Sequence, residues 1–337
     1  MMSRIHGIVV LTVASMMTSA FGLSVVAIAQ TPRPALLVLD KDDSKLAIVD
    51  PASLKVVARV PAGDDPHEVV VSDDGAVAFV SNYGAFGKPL HTISVIDLVR
   101  QQALPAIDLG ALLAPHGIDA ASGKIYFTAE MSKVVGRIDP ASRQVDWVLG
   151  LGQNRTHMVK VGKRGDAIYT SNVFSDSISV IEKDPSMQGW RETVIPVGKG
   201  PEGFDVSPDG KELWAANSHE GTISVVDLTS KQVAQVLKVP TKFANRLKFT
   251  PDGRTVLITD LGTGDLVFLD AKARKEIKRI SVGKGCAGIL MVPDGSRAFV
   301  AVSRDDKIAV VDLKSLTVTA EFSTGKGPDG MAWLPAK

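Results

Sequence analysis

Seven copies of one short pattern run along the chain and leave little choice of architecture. They read KLAIVD at Lys45–Asp50, TISVID at Thr92–Asp97, KVVGRID ending at Asp139, SISVIE at Ser177–Glu182, TISVVD at Thr222–Asp227, DLVFLD at Asp265–Asp270 and KIAVVD at Lys307–Asp312. Each is a β-branched run closed by an acid, the pattern of a strand entering a turn. Successive closing acids lie 42 to 47 residues apart, the period of a four-stranded propeller blade.

A complete blade is clearest at residues 201–241, where PEGFDV, KELWAAN, TISVVD and QVAQVLKV give strands a, b, c and d from channel to rim. Pro-Asp-Gly at 208–210, 251–253 and 293–295, with Asp73-Asp74-Gly75, joins a to b, because glycine supplies the positive φ of a tight turn. Turns led by the closing acids join c to d. Because strands alternate in direction, the b–c and d–a connections share the other face, the top. Strand a is expected to start near His67, His116, His157, Glu202, Asn245, Ala287 and Asp329. The last start has no b, c or d after it, whereas residues 35–62 supply b, c and d without an a. The expected fold is therefore an all-β, seven-bladed β-propeller with four antiparallel strands per blade. Its C-terminal strand completes the N-terminal blade, leaving no open sheet edge.

Simple alternation puts Val69, Ile118, Val159, Phe204, Leu247, Ile289 and Met331 between blades, and the strand-a starts share that parity. On the opposite parity Asp119, Lys160, Asp205 and Lys248 alternate in sign over four blades. Two salt-linked pairs on the channel wall are the expectation, with an ion path as the alternative.

Residues 1–29 carry one base, Arg4, no acid, and a long apolar stretch ending in Ala27-Ile28-Ala29. This reads as a cleaved signal peptide, with an uncleaved anchor as the alternative, followed by a single domain over 30–337. The expected location is periplasmic or secreted, with no membrane span after cleavage. Removing the leader leaves 37 bases against 37 acids, so neither nucleic acid nor a membrane surface is an expected partner. The single cysteine, Cys286, excludes an internal disulfide. A monomer binding a small molecule or an envelope protein is expected.

Phe79-Val-Ser-Asn82, Tyr169-Thr-Ser-Asn172 and Trp214-Ala-Ala-Asn217, each followed by an I-S-V-[IV]-[DE] strand, resemble the YVTN-family β-propeller repeat. The resemblance covers residues 35–337 and implies a YncE-like periplasmic propeller. More distantly it extends to the haem-d1 domain of cytochrome cd1 nitrite reductase, which has eight blades, and to lactonase-like and lyase-like propellers. The blades at Ala129, Asp260 and Val302 lack the motif's Asn and read as degenerate copies.

All five histidines beyond the leader fall on top-face positions. His67, His116 and His157 open strand a in three successive blades, and His91 and His219 sit in b–c connections. A metal centre over the channel mouth follows, with His67, His116 and His157 as nitrogen ligands and Glu202, the same position in the next blade, as a carboxylate ligand or as a partner to one of the ligands. Three histidines and an open position suit Zn or Cu. The competing readings are loop-capping histidines, or metal-free acid/base chemistry using His157, Glu202, Arg155 and Arg246. Tyr83 and Phe86 lie in a long glycine-containing b–c insertion that reads as a lid or a loose loop, and Cys286 reads as a soft ligand or an inert buried residue. Gly283-Lys-Gly285 and Gly325-Lys-Gly327 are d–a turns lacking the helix a phosphate loop needs. There is no nucleophile elbow, CxxCH, Rossmann fingerprint or P-loop. The expected function is binding of a small ligand or metal ion at the top face. The alternatives are a metal-dependent oxidoreductase or lactonase- or lyase-like enzyme there, and a cell-envelope interaction scaffold.

Overall fold

The β-branched runs pair with their chain neighbours into seven separate four-stranded antiparallel sheets arranged in a ring. The computed structural model describes residues 30–85, 87–186 and 188–336; the expected leader lies outside them. Blade 1 consists of Pro328–Leu334 (a), Ala35–Asp40 (b), Lys45–Asp50 (c) and Lys55–Pro61 (d). In blades 2 to 7, strand a is Pro66–Val71, Pro115–Ala121, Thr156–Val161, Pro201–Val206, Ala244–Phe249 and Cys286–Met291. The ring closes as expected: the last strand pairs antiparallel with the first, from Ala35 opposite Leu334 to Asp40 opposite Pro328.

The core lies between blades. Leu37, Leu39, Ile48 and Ala78 of blades 1 and 2 are fully buried in one cluster with Val69, and Trp214 joins Leu247, Val256 and Ile258 between blades 5 and 6. Each such aliphatic side chain contributes about 1.5–3 kcal/mol by leaving water. Among the described residues the only helices are three-residue 3-10 turns, and none is long and apolar enough to cross a membrane.

The repeat motif has a structural reason. The Asn at the end of strand b reaches across to the polar side chains of strand c. Asn82 Nδ2 donates to Thr92 and Ser94 at 3.0 and 2.9 Å, and Asn217 Nδ2 to Thr222 and Ser224 at 2.8 and 3.0 Å. In blade 6, Asp260 replaces the Asn and instead accepts the backbone N–H groups of Lys242 and Phe243 at 2.8 and 2.9 Å. The substitution moves the tie from strand c to the d–a connection.

Two expectations change. The Tyr83–His91 insertion is neither lid nor loose loop: strands b and c of blade 2, Val77–Ala85 and Lys88–Asp97, continue pairing through Gly84–Pro89 and Ala85–Lys88. Gly87, at φ 78°, supplies the turn; Phe86 lies outside the described residues. On the channel wall, Lys160 and Asp205 pair at 3.4 Å. The second expected pair is replaced by backbone: Asp119 Oδ2 accepts Val161 N–H at 2.7 Å.

Candidate functional site

Every strand a carries a register shift against strand b at its first residues, for instance between Pro66 and Val69, Pro115 and Ile118, and Thr156 and Val159. An extra residue in one strand of a pair is a β-bulge, which re-aims the side chains around it. The bulge explains why simple alternation misplaces the strand-a starts. All seven starts line one cavity of about 540 Å³ over the channel mouth.

A Ser or Thr on strand b secures several of these bulges and ties them to the next blade. Ser81 Oγ accepts Glu68 N–H at 3.2 Å and donates to His116 C=O at 2.6 Å. Thr128 Oγ1 accepts Gly117 N–H at 2.9 Å and donates to His157 C=O at 2.7 Å. Gly117 is required there, since a Cβ would stand 2.6 Å from His157 O. Adjacent blades thus approach closely enough for their first side chains to stack. The rings of His67 and His116 are 4.7 Å apart, and those of His116 and His157 3.8 Å.

Two further groups join from the position one past Asn82 and its counterpart Ala129. Glu130 hydrogen-bonds His157 Nδ1, and Tyr83 Oη donates to Glu130 Oε2 at 2.6 Å. On the other side His157 Nε2 lies 3.0 Å from Glu202 Oε1, within ion-pair range but off the hydrogen-bond line. One ligand atom from each of His116, Glu130 and His157 can be chosen so that all lie within 4.8 Å of one another. His116 Nδ1 is buried without a hydrogen-bond partner.

The electrostatics separate the three histidines. Burial would depress His157, but Glu202 and Glu130 outweigh it and hold the imidazolium at about 9. Burial would likewise raise Glu202, but His157 and the arginines draw it down to about 2. Burial, followed by the positive charge of His157, keeps His116 well below the usual histidine range and therefore neutral. His67 is also lowered, by burial and then by Lys41.

Of the sequence-predicted residues, His67, His116, His157 and Glu202 meet at the mouth. The nitrogens of His67 are engaged, Nε2 by Lys41 Nζ at 2.9 Å and Nδ1 with Asp65 C=O at 3.0 Å. Arg155 reaches the same acids, 3.5 Å from Glu130 and 4.0 Å from Glu202. Arg246 is buried and committed to the Glu68 carboxylate. His91 pairs with Asp108 at 2.8 Å and His219 packs 6.0 Å from Phe243, so neither joins the cluster. Cys286 is fully buried in the core between blades 6 and 7, its thiol pushed up by burial, so the inert reading is the one that fits. Sequence reasoning missed Glu130, and it named Tyr83 only as part of the top-face insertion, without a partner. The position one past Asp40, Asn82, Ala129, Asn172, Asn217, Asp260 and Val302 reads Lys41, Tyr83, Glu130, Val173, Ser218, Leu261 and Ser303 around the ring, and the lone acid there was the available signal.

Residues 93–297 match the family described as YNCE-like beta-propeller. A dihydro-heme d1 dehydrogenase of Pseudomonas aeruginosa is 26% identical over 311 residues, covering 75% of this chain; the chain spans 62% of that protein's length. Among solved structures, a periplasmic gluconolactonase of P. aeruginosa, PpgL, superposes with a TM-score of 0.73 at 17% identity, covering 91% of this chain and 100% of its own. The dihydro-heme d1 dehydrogenase NirN, in complex with DHE, gives 0.63 at 14% identity, covering 91% and 76%. The two structural likenesses show a shared fold.

Proposed function

Because the chain belongs to the YncE-like β-propeller family, we propose that its function resides at the top-face mouth, where it binds a small ligand over a metal ion held by His116, Glu130 and His157, the metal displacing the proton that His157 carries in its absence. The supporting observation is the convergence of these three donors within 4.8 Å with His116 Nδ1 buried and unpartnered. Leaving such a nitrogen unsatisfied costs about 1–3 kcal/mol, a cost a metal bond removes. Two histidines and one carboxylate form a donor set of zinc hydrolases and of non-haem iron sites. Exchanging His67 for Glu130 thus adds Fe(II) to the Zn or Cu expected from three histidines.

A bound metal would supply a Lewis acid at the mouth. The chain's own groups orient the donors: Glu202 fixes the His157 ring and Tyr83 holds Glu130. The leader-like residues 1–29 support a periplasmic or extracellular location for it.

A second reading takes its ligand class from the relative that is 26% identical over 75% of this chain. The ligand would then be a tetrapyrrole, its carboxylates facing Lys41 and Arg155.

Elemental analysis and absorption spectroscopy of the purified mature protein test both. About one Zn, Cu or Fe per chain without a tetrapyrrole band, abolished in His116→Ala and in Glu130→Gln, is the expected result. A tetrapyrrole band would favour the second reading. Failure of wild-type protein to retain Zn, Cu or Fe(II) after reconstitution overturns the metal reading.

A further inference from the structure

Beside the mouth, a second cavity of about 660 Å³ opens between the top-face connections of blades 2, 3 and 4, its walls including Tyr83, Pro89, Met131, Arg155 and Phe174. Met131 and Phe174 are 60% and 65% exposed. Of the other exposed large apolar side chains, Val148, Val194, Val236 and Ile277 stand on outer strands, and Val99 stands alone in the c–d turn of blade 2. Met131 and Phe174 together flank one concavity, the setting in which exposed apolar surface marks a binding groove. Arg155 lines both cavities, and Glu130, one of the three donors, lines the side pocket, so a molecule there would reach the donor cluster.

The sign of the polar end follows from what is already engaged. Glu130 is bonded by His157 and Tyr83, which leaves its charge balanced. Arg155 approaches its acids only at 3.5 and 4.0 Å, longer than the roughly 2.7–2.9 Å of a charge-assisted hydrogen bond. Its guanidinium lies 5.1 Å from the Phe174 ring centre, so it packs against an aromatic at the wall of the cavity it lines. Arginine presents a planar fork that matches a carboxylate.

We propose that the ligand is an amphipathic carboxylate, its flat apolar body between Phe174 and Met131, its anion on Arg155 and its near end beside Glu130. The inference rests on top-face binding and not on the metal.

Calorimetric titration of the mature protein with 2-naphthoate and with neutral 2-naphthylmethanol tests it, with and without prior metal removal. Expected are measurable naphthoate binding, at least tenfold weaker binding of the alcohol, and a tenfold or greater loss in Arg155→Gln partly restored in Arg155→Lys. Phe174→Ala, at an exposed position, is expected to weaken binding about threefold to tenfold. Equal affinity for the two probes, wild-type affinity in both Arg155→Gln and Phe174→Ala, or no naphthoate binding at all overturns the inference. In His116→Ala, naphthoate binding is expected to persist while metal content is lost. The two readings therefore fail separately.

Discussion

The channel carries charged residues at both ends, and the two ends are finished differently. At the base, Lys160 meets Asp205 at 3.4 Å, while Asp119 and Asp205 each accept a backbone N–H, from Val161 at 2.7 Å and Phe249 at 3.1 Å. Among the described residues, none of the base charges has a buried atom left without a partner. At the mouth, His116 Nδ1, His157 Nε2, Glu202 Oε2 and Asp329 Oδ1 are all buried and lack hydrogen-bond partners. One repeat therefore builds a self-satisfied belt and, a few residues earlier in the same strands, a polar cluster with spare valence. Buried polar groups are ordinarily satisfied, so the incomplete end is where a ligand belongs.

The sharpest way to break the contrast is His157→Leu, which strands two buried carboxylates, Glu130 and Glu202. Thermal or denaturant unfolding is expected to show a loss of about 3–5 kcal/mol. The pH profile carries the same information. His157, held at about 9 against an ordinary 6.5, stabilises the fold fully below pH 6.5 and loses that contribution as pH rises through 9. Glu202, held at about 2, contributes above pH 4.5 and fades as pH falls toward 2. His116, kept neutral, opposes folding as the unfolded chain takes up its proton below pH 6.5. Wild-type stability is thus expected to fall between pH 6.5 and 9, and His157→Leu to be flatter there; an equal fall in both would contradict the assigned ion pairs.

Next in size is Lys160→Met at the base. Because 40% of that side chain is exposed while Asp205 is nearly buried, the pair is partly screened and the expected loss is about 1–3 kcal/mol. Metal content should not change; a drop would mean that the base belongs to the site.

The smallest effect is expected from His116→Phe, which removes an orphaned nitrogen and keeps an aromatic ring in the stack. A gain of about 1 kcal/mol, read as a rise of a few degrees in Tm, should accompany loss of metal binding. A destabilised variant would show that the imidazole already has a partner in solution.

Blade count, turn positions and ring closure were all legible, because each rests on local chemistry repeated seven times: an acid ending strand c, glycine after Pro-Asp, and a missing strand at each end. The membership of the mouth was half legible. His67, His116, His157 and Glu202 share a register position, but counting by twos along a strand points them between blades, and only the bulge turns them to the mouth. A bulge is a property of strand pairing, which one strand's residues do not declare. Glu130 escaped because it follows Ala129 in a blade that reads as degenerate, where the lost Asn hid the reference point that would have aligned it with Tyr83 and Lys41. The neutral reading of His116 and the charged reading of His157 likewise depend on neighbours supplied by other blades.

Closure by the last strand also sets a timetable for folding. Ala35–Asp40 emerges first yet finds its inner partner, Pro328–Leu334, almost three hundred residues later. Six blades can assemble from neighbouring chain while the first waits with one edge unpaired, exposed to any other strand it meets. The final pairing locks the ring and delivers Asp329 to the mouth in the same step. The binding surface is therefore complete only once Pro328–Leu334 has been made and paired.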